Sequence, residues 1–188
     1  MNAGWFFPYD HLQRRLPETI RYTSVEIYVT TWFALSVTLL GAIPFGAPQW
    51  LFAVALGLGL YRLLDIYRTQ LRVVLVDVED PFYRGVGSLT RNLILTLVNF
   101  LELLVISALT FRAMERLTDG GAFSPTLTSK LDALLYSVSI GTTSGFADIQ
   151  AVQGLAKAAT IGEVLLAIVL LAVVLNLFLS SRRPIREL

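Results

Sequence analysis

The residues best suited to chemistry form one short run, Thr142-Thr-Ser-Gly-Phe-Ala-Asp148. The run offers backbone more than reactive side chains, because hydroxyl groups, one glycine and small or aromatic residues follow each other before a single acid. In a membrane pore, the carbonyl oxygens of an extended loop can replace the water shell of a cation, and four chains then contribute one loop each. The run is therefore a candidate cation-coordinating loop.

A short helix is predicted immediately before this loop. In Ser129-Lys-Leu-Asp132, Ser129 can cap a helix start, and Asp132 lies in the first turn near the positive end of the helix dipole. The helix, residues 130–140, is mostly apolar and too short to cross a bilayer. Non-helical backbone is tolerated at membrane depth only inside protein or beside a watery path. We therefore expect a re-entrant helix and loop between two membrane spans.

The composition indicates a multi-pass membrane protein. Of the 188 residues, 55% are hydrophobic and 15% are charged, against about 25% charged in soluble domains. Residues 27–61 carry no charge and are interrupted at 44–48, so they hold two short spans. Residues 62–91 are rich in charge and are predicted to be a solvated connector, whose first part continues the second helix along the membrane surface. Spans at 92–111 and 156–181 complete an all-α fold with four transmembrane helices.

Arginine placement predicts the orientation of the chain. Most of the 15 basic residues precede span one, lie between spans two and three, or follow span four. The positive-inside rule makes that side cytoplasmic, so both termini are predicted inside and residues 112–156 outside. No span carries arginines at a three-residue spacing, so a voltage sensor of that kind is not expected. The chain also has no cysteine, which excludes disulfides and thiolate metal sites.

The loop resembles the selectivity filter of the tetrameric potassium-channel superfamily, in its two-transmembrane pore-domain form. Residues 142–148 share four of seven positions with the signature Thr-Thr-Val-Gly-Tyr-Gly-Asp. Tyr136-Ser-Val138 resembles the end of the family's pore helix, and Gly162-Glu163 begins an inner helix at a similar distance. The loop is also similar to the single-glycine loops of the Trk, Ktr and HKT potassium transporters, which carry four pore repeats in one chain where this chain has one. The potassium-channel resemblance covers residues 92–181.

The resemblance implies a potassium-channel-like pore module in a homotetramer. The selectivity filter would comprise Thr142, Thr143, Ser144, Gly145, Phe146, Ala147 and Asp148. The backbone carbonyls of Thr143, Ser144, Gly145 and Phe146 would bind a monovalent cation, expected to be potassium, and no other cofactor is expected. The chain then divides into a cytoplasmic segment 1–26, a transmembrane hairpin 27–66, a cytoplasmic connector 67–91, a pore domain 92–181 (outer helix 92–111, pore helix 130–140, filter 142–148, inner helix 156–181) and a cytoplasmic tail 182–188.

Three departures from the family signature predict altered or reduced selectivity. Ala147 stands where the family has its second glycine, and a left-handed backbone costs a non-glycine residue about 1–2 kcal/mol. The outer end of the filter is therefore expected to be flipped, widened or rebuilt. Phe146 lacks the phenol that could tie a filter to its surroundings, and Ser144 replaces an apolar packing group with a hydroxyl.

Outside the loop, three residues are candidates for supporting the filter and a fourth for an inner gate. Glu102 lies in mid-span, where a carboxylate must face protein or water, and we expect it behind the filter, bonded to hydroxyls of the short helix. Glu163 is expected to anchor the outer end of span four, and Tyr136 to support the filter. Asn176, near the cytoplasmic end of span four, could line an inner gate or hydrogen-bond a neighbouring helix, and the sequence favours neither.

Two functions are compatible with these patterns. The first is a tetrameric cation channel subunit that contacts copies of itself and membrane lipid, and no nucleic acid. The second is a non-conducting scaffold or auxiliary subunit with a decayed pore loop. An enzyme is not expected, because no nucleophile–base pair, carboxylate dyad or metal cluster has a workable spacing.

Two further sites have simple interpretations. His11 has no ligand partners at metal spacing. The acids at 77–80 predict a solvated loop, with divalent-ion binding as the alternative.

Overall fold

The computed structural model describes residues 18–44, 46–75 and 89–181. The predictions on His11, on the acids at 77–80 and on the tail 182–188 lie outside the described residues. The elements in chain order are α1 (Glu18–Ala42), α2 (Gln49–Leu75), α3 (Leu89–Leu117), β1 (Phe123–Ser124), α4 (Lys130–Gly141), β2 (Gln150–Ala151) and α5 (Gly154–Ser181).

Four helices are long and apolar enough to cross a membrane, as the sequence predicted. The spanning segments are Thr23–Ala42 in α1, Gln49–Gln70 in α2, Leu93–Leu117 in α3 and Gly154–Leu175 in α5. The short α4 lies between α3 and α5 in the chain, as the sequence predicted. The one departure from an all-α fold among the described residues is the antiparallel pair of β1 and β2, in which Phe123 faces Ala151 and Ser124 faces Gln150.

The charged ends of two helices are less exposed than the sequence predicted. The second helix was expected to continue past residue 62 into a solvated connector, and α2 does continue to Leu75, but Arg62 is buried at 2% exposure. The outer helix was expected to end at Phe111, yet α3 continues to Leu117 and buries Arg112 and Glu115. These expectations were wrong because charged side chains were taken to be solvated, whereas here protein groups satisfy them.

The third helix is the centre of the fold. It packs against α1, α2, α4 and α5. The larger apolar cluster surrounds Phe52 of α2, Leu109 and Phe111 of α3 and Tyr136 of α4. A second, smaller cluster joins α2 and α3 to α5 and comprises Ile66, Leu103, Leu166, Ala167 and Leu170. The N-terminal pair α1 and α2, called the hairpin below, is thus attached to the same helix that carries α4 and α5.

Arg112 attaches the C-terminal end of α1 in the hairpin to α3. Its guanidinium donates from Nη2 to the carbonyl oxygen of Ile43 at 2.7 Å and from Nη1 to that of Leu40 at 3.4 Å. These carbonyls lie at the C-terminal end of α1, where helix carbonyls lack intrahelical partners and a cation is favoured by the helix dipole. The guanidinium also stands 5.5 Å from the ring centroid of Phe52. Arg112 therefore joins both helices of the hairpin to α3.

Candidate functional site

The start of α4 is fixed by a reciprocal cap, as the sequence predicted. The Ser129 hydroxyl accepts from the backbone N–H of Asp132 at 3.0 Å, and the Asp132 carboxylate accepts from the N–H of Ser129 at 2.7 Å. The carboxylate also accepts from the hydroxyl of Thr128 at 2.8 Å. Chiefly this hydroxyl, together with the backbone donors, holds the pKa of Asp132 below its usual range.

Tyr136 fastens the middle of α4 to three other elements. Its ring meets those of Phe111 and Phe123 edge-on, at centroid separations of 5.1 and 5.2 Å, an arrangement that aromatic quadrupoles favour. Its hydroxyl lies 3.0 Å from the hydroxyl oxygen of Thr160 on α5. Tyr136 therefore links α4 with α3, β1 and α5, in a position suited to supporting the loop that follows.

Ser137 makes the second link, between α4 and both flanking helices. Its Oγ lies 2.8 Å from the Leu104 carbonyl oxygen of α3 and 2.5 Å from Oε1 of Glu163 on α5. Both side chains are buried, with exposures of 0% for Ser137 and 3% for Glu163. Glu163 thus lies where an anchor for the outer part of α5 was expected, and it contacts the end of α4 directly.

The expected bond of Glu102 to hydroxyls of α4 is wrong. The Glu102 carboxylate instead accepts two hydrogen bonds from Arg62 of α2, at 2.6 and 2.7 Å. Sequence reasoning missed this partner because Arg62 was assigned to a solvated connector. The contact that was expected of Glu102 is made by Glu163.

The backbone N–H groups at the start of the loop point back to α4. The amides of Thr142, Thr143, Ser144 and Gly145 donate to carbonyl oxygens of the last turn of α4, at 2.9–3.3 Å. Further along, the N–H of Ala147 donates to the hydroxyl of Ser139 at 3.1 Å. The N–H groups of residues 142–145 and 147 are therefore used internally and hold the loop against the end of α4.

The carbonyl oxygens of the loop are not used in this way. Within the described parts of the chain, the carbonyl of Thr142 accepts from the hydroxyl of Thr143 at 2.7 Å, while those of residues 143–148 accept no hydrogen bond. Residues 142–146 are exposed in the single chain. Because unpaired backbone acceptors need a partner when they are removed from water, this stretch offers a row of oxygens to an external donor or cation.

Backbone strain lies at Thr143 and not at Ala147. Thr143 has φ 53° and Gly145 has φ 63°, and elsewhere in the described chain Asp119 is the other non-glycine residue with positive φ. Ala147 has no positive φ and its N–H donates to the Ser139 hydroxyl, so the backbone strain of a left-handed alanine is absent. The expected flipping, widening or rebuilding of the outer end of the filter stays a prediction. A Cβ added at Gly145 would meet nothing within 4 Å, so glycine is favoured there by its backbone angle.

The last predicted site residue, Asn176, lies in α5, but its side chain is outside the described residues, so both hypotheses for it stay predictions.

One residue that the sequence reasoning did not single out is Glu115. Its carboxylate accepts from the backbone N–H groups of Ala122 and Phe123 at 3.0 and 3.1 Å, and from that of Leu127 at 3.1 Å. It organises the connection from α3 to α4. In the sequence, the signal for this role is an acidic residue that lies shortly before the glycine pair Gly120-Gly121.

Four apolar helices of spanning length, with a short capped helix and an irregular loop between the last two, support an integral membrane protein and are consistent with an ion channel. Residues 97–181 match a family model described as an ion channel. The matched segment contains most of α3 and all of α4, the loop and α5, and it supports an ion channel subunit, which favours a non-catalytic role. The hairpin lies outside it. No curated protein and no solved structure matches the chain significantly.

Proposed function

We propose that this chain is one subunit of a homotetrameric cation channel. Ions pass through a selectivity filter formed by residues 142–148, with α3 as the outer helix, α4 as the re-entrant pore helix and α5 as the inner helix. The permeant ion is potassium, and its selectivity is altered relative to channels with two filter glycines. Both termini face the cytoplasm. The ion-channel match to residues 97–181 supports the channel class and does not favour the alternative of a non-conducting scaffold.

One observation carries the proposal: five backbone N–H groups of the loop donate to α4, whereas the carbonyls of residues 143–148 accept no hydrogen bond from the described residues. Carbonyls of Thr143, Ser144, Gly145 and Phe146 accept nothing from the described residues, whereas the amides of residues 142–145 are bonded to the last turn of α4. A cation requires this polarity, since carbonyl oxygens replace its hydration shell. A loop that had only to cap the helix would gain nothing from exposed carbonyls.

A single chain supplies one such loop, so a closed ring of oxygens needs copies of the chain. Apolar side chains remain exposed on α4 and α5, among them Leu131 at 74%, Leu155 at 77% and Ile161 at 60%. These residues flank the loop in the chain, where neighbouring subunits of a tetramer would pack. The remaining exposed apolar residues on α1, α2 and the later part of α5 suit lipid or the same neighbours.

The altered selectivity rests on how the loop departs from the potassium-channel signature. It has one glycine at positive φ, Gly145, and the other left-handed position belongs to Thr143. Ser144 bonds within the loop, since its Oγ lies 2.9 Å from Oγ1 of Thr142. A filter bent at these two residues has a different spacing of carbonyl rings, which changes the discrimination between potassium and sodium.

The test is a flux assay on purified protein in liposomes, with potassium and sodium on parallel samples, barium as blocker, and a size determination on the same preparation. Barium-sensitive potassium flux from a tetramer is the expected result. A monomer would exclude a shared filter. A well-formed tetramer without flux of either ion would favour the scaffold.

Two loop variants and one matched control make the assay specific for the filter. Thr143→Ala and Gly145→Asp are expected to change the flux or the potassium-to-sodium ratio, because they alter the two positive-φ positions. Gly57→Ala in α2 is the control, since its added Cβ meets nothing within 4 Å. If both loop variants conduct like the control, the assignment of residues 142–148 as the filter is wrong.

A further inference from the structure

Ser137 lies between two oxygen acceptors but has one proton to give. Its Oγ is 2.8 Å from the Leu104 carbonyl oxygen and 2.5 Å from Oε1 of Glu163. A hydroxyl donates one hydrogen bond and accepts others. Both short contacts can be hydrogen bonds only if one of the two neighbours donates to Ser137. The Leu104 carbonyl has no proton, so the donor must be the Glu163 carboxyl group.

The surroundings of Glu163 also favour a neutral carboxyl group. The side chain is 3% exposed, and its second oxygen, Oε2, has no hydrogen-bond partner within the described chain. A charged carboxylate with no cation beside it and one oxygen without any donor is costly in such a place. A protonated carboxyl group that donates to a hydroxyl has no such cost.

The charged and titratable groups around Glu163 do not offset a negative charge. Helix α3 presents the carbonyl of Leu104, and α4 presents one titratable group, Tyr136, whose hydroxyl lies beside that of Thr160. On α5 itself, Lys157 precedes Glu163 by more than a turn and is exposed. On α2 and α3, the buried charges Arg62 and Glu102 are paired with each other.

We propose that Glu163 keeps its carboxyl proton at neutral pH and is a positioning residue that donates it to Ser137. Ser137 then donates to Leu104, so one directed chain of hydrogen bonds joins α5, α4 and α3. The protonation of Glu163 rests on the geometry alone. The effect of this protonation on conduction rests on the proposed function.

This chain of hydrogen bonds lies next to the end of α4, where the loop begins. Oε1 of Glu163 lies 3.3 Å from the position that a Cβ would take on Gly141, the last residue of α4. Loss of the proton at alkaline pH removes the donor to Ser137 and places a negative charge next to this residue. The loop begins at the following residue, Thr142, so conduction is expected to fall as the pH rises.

Infrared spectroscopy of the full chain in liposomes tests the protonation without any reference to flux. We expect a protonated-carboxyl band at neutral pH that is absent in Glu163→Gln and present in Glu26→Gln, a matched control whose side chain is 48% exposed. Ser137→Ala shifts the band, because the acceptor of the proton is gone. The proposal is overturned if the band is absent from the wild type, survives in Glu163→Gln, or is unmoved by Ser137→Ala.

The flux assay tests the coupling to the loop. Glu163→Ala is expected to lower flux by about tenfold, the effect of losing one strong hydrogen bond on an equilibrium. Glu163→Gln restores part of it, because an amide still donates to Ser137, and removes the alkaline fall seen in the wild type. An identical alkaline profile in Glu163→Gln overturns the coupling. If the wild type conducts nothing, the proposed function fails while the infrared result still decides the protonation.

Discussion

Arg62 and Glu102 form a bidentate ion pair inside the protein, between α2 and α3. Nε of Arg62 lies 2.6 Å from Oε1, and Nη2 lies 2.7 Å from Oε2. The exposures of the two side chains are 3% and 0%. Asp65 accepts from the same guanidinium and from the hydroxyl of Tyr28 at 2.9 Å. The cluster therefore joins α1, α2 and α3 at one point, and it connects the hairpin to the segment that matches the ion-channel family.

Removing Arg62 alone should be more damaging than removing both members of this pair. Arg62→Met leaves the buried carboxylate of Glu102 without its cation, which costs about 3–5 kcal/mol of unfolding free energy, whereas Glu102→Leu leaves Arg62 paired with Asp65 and should cost less. The double variant should recover part of the loss seen in Arg62→Met, because Glu102 is no longer a buried charge and Asp65 still accepts from the Tyr28 hydroxyl. Denaturant titration in mixed micelles measures all four proteins in a double-mutant cycle. Additive losses in the double variant would contradict a direct ion pair.

Two glycines on α2 should respond in opposite ways to alanine. A Cβ at Gly59 would stand 2.5 Å from Oγ1 of Thr110 on α3, whereas a Cβ at Gly57 would meet nothing within 4 Å. Gly59→Ala is expected to destabilise the protein by about 1–3 kcal/mol through overpacking. Gly57→Ala is expected to stabilise it by up to about 1 kcal/mol, since alanine is the better helix former.

The companion variant to Gly59→Ala is Thr110→Ala, which removes the clashing hydroxyl. Combining the two should restore thermal stability to nearly that of Thr110→Ala alone. The same melting experiment in detergent serves all of these variants. Close packing of α2 on α3 would be contradicted if Gly59→Ala melted like Gly57→Ala.

The carboxylate of Glu115 should control the order of the connection between α3 and α4. Glu115→Ala leaves three backbone donors without their acceptor and is expected to cost at least ~3 kcal/mol. Glu115→Gln keeps one acceptor oxygen and should lose less. Hydrogen exchange at the amides of Ala122, Phe123 and Leu127 is the direct measurement. Protection of these three amides that survives Glu115→Ala would show that other groups hold the connection.

The cap of α4 should make the protein sensitive to acid. The pKa of Asp132 is lowered in the folded chain, so its stabilising contribution is complete above the unfolded value, about 3.9, and is lost as the pH falls through the folded value. Asp132→Asn has no proton to gain at this position. A melting series from neutral pH to about pH 3 should therefore decline more for the wild type than for Asp132→Asn. Parallel declines would place the acid sensitivity elsewhere.

The parts of this protein that the sequence predicted are those set by short-range patterns. Uncharged runs long enough to span a bilayer identified the four membrane helices, and Ser129 with Asp132, three residues apart, identified the start of α4. The positive φ of Gly145 likewise follows from its residue type, since glycine adopts this conformation readily. In each case the interacting groups lie within a few residues of one another, so the sequence alone contains the geometry.

The missed parts depend on partners far apart in the chain. Arg62 and Glu102 are 40 positions apart, and Ser137 and Glu163 are 26 apart, so no local pattern pairs either couple. Charge near the end of a span suggested solvation, and only the fold shows that protein groups surround Arg62, Arg112 and Glu115. The positive φ of Thr143 was not predicted for a related reason: the path of the loop depends on its contacts with α4, among them the bond from the N–H of Ala147 to the Ser139 hydroxyl.

The contact of Arg112 with the end of α1 has a consequence for the ancestry of this chain. A two-helix pore unit that never had a hairpin would expose this guanidinium and the carboxylate of Glu102 to lipid. Arginine at position 112 and glutamate at position 102 should therefore occur together in relatives that carry the two extra N-terminal helices, and apolar residues should replace both where those helices are missing. Such a distribution among relatives would mean that the hairpin and the two charges were acquired as a set.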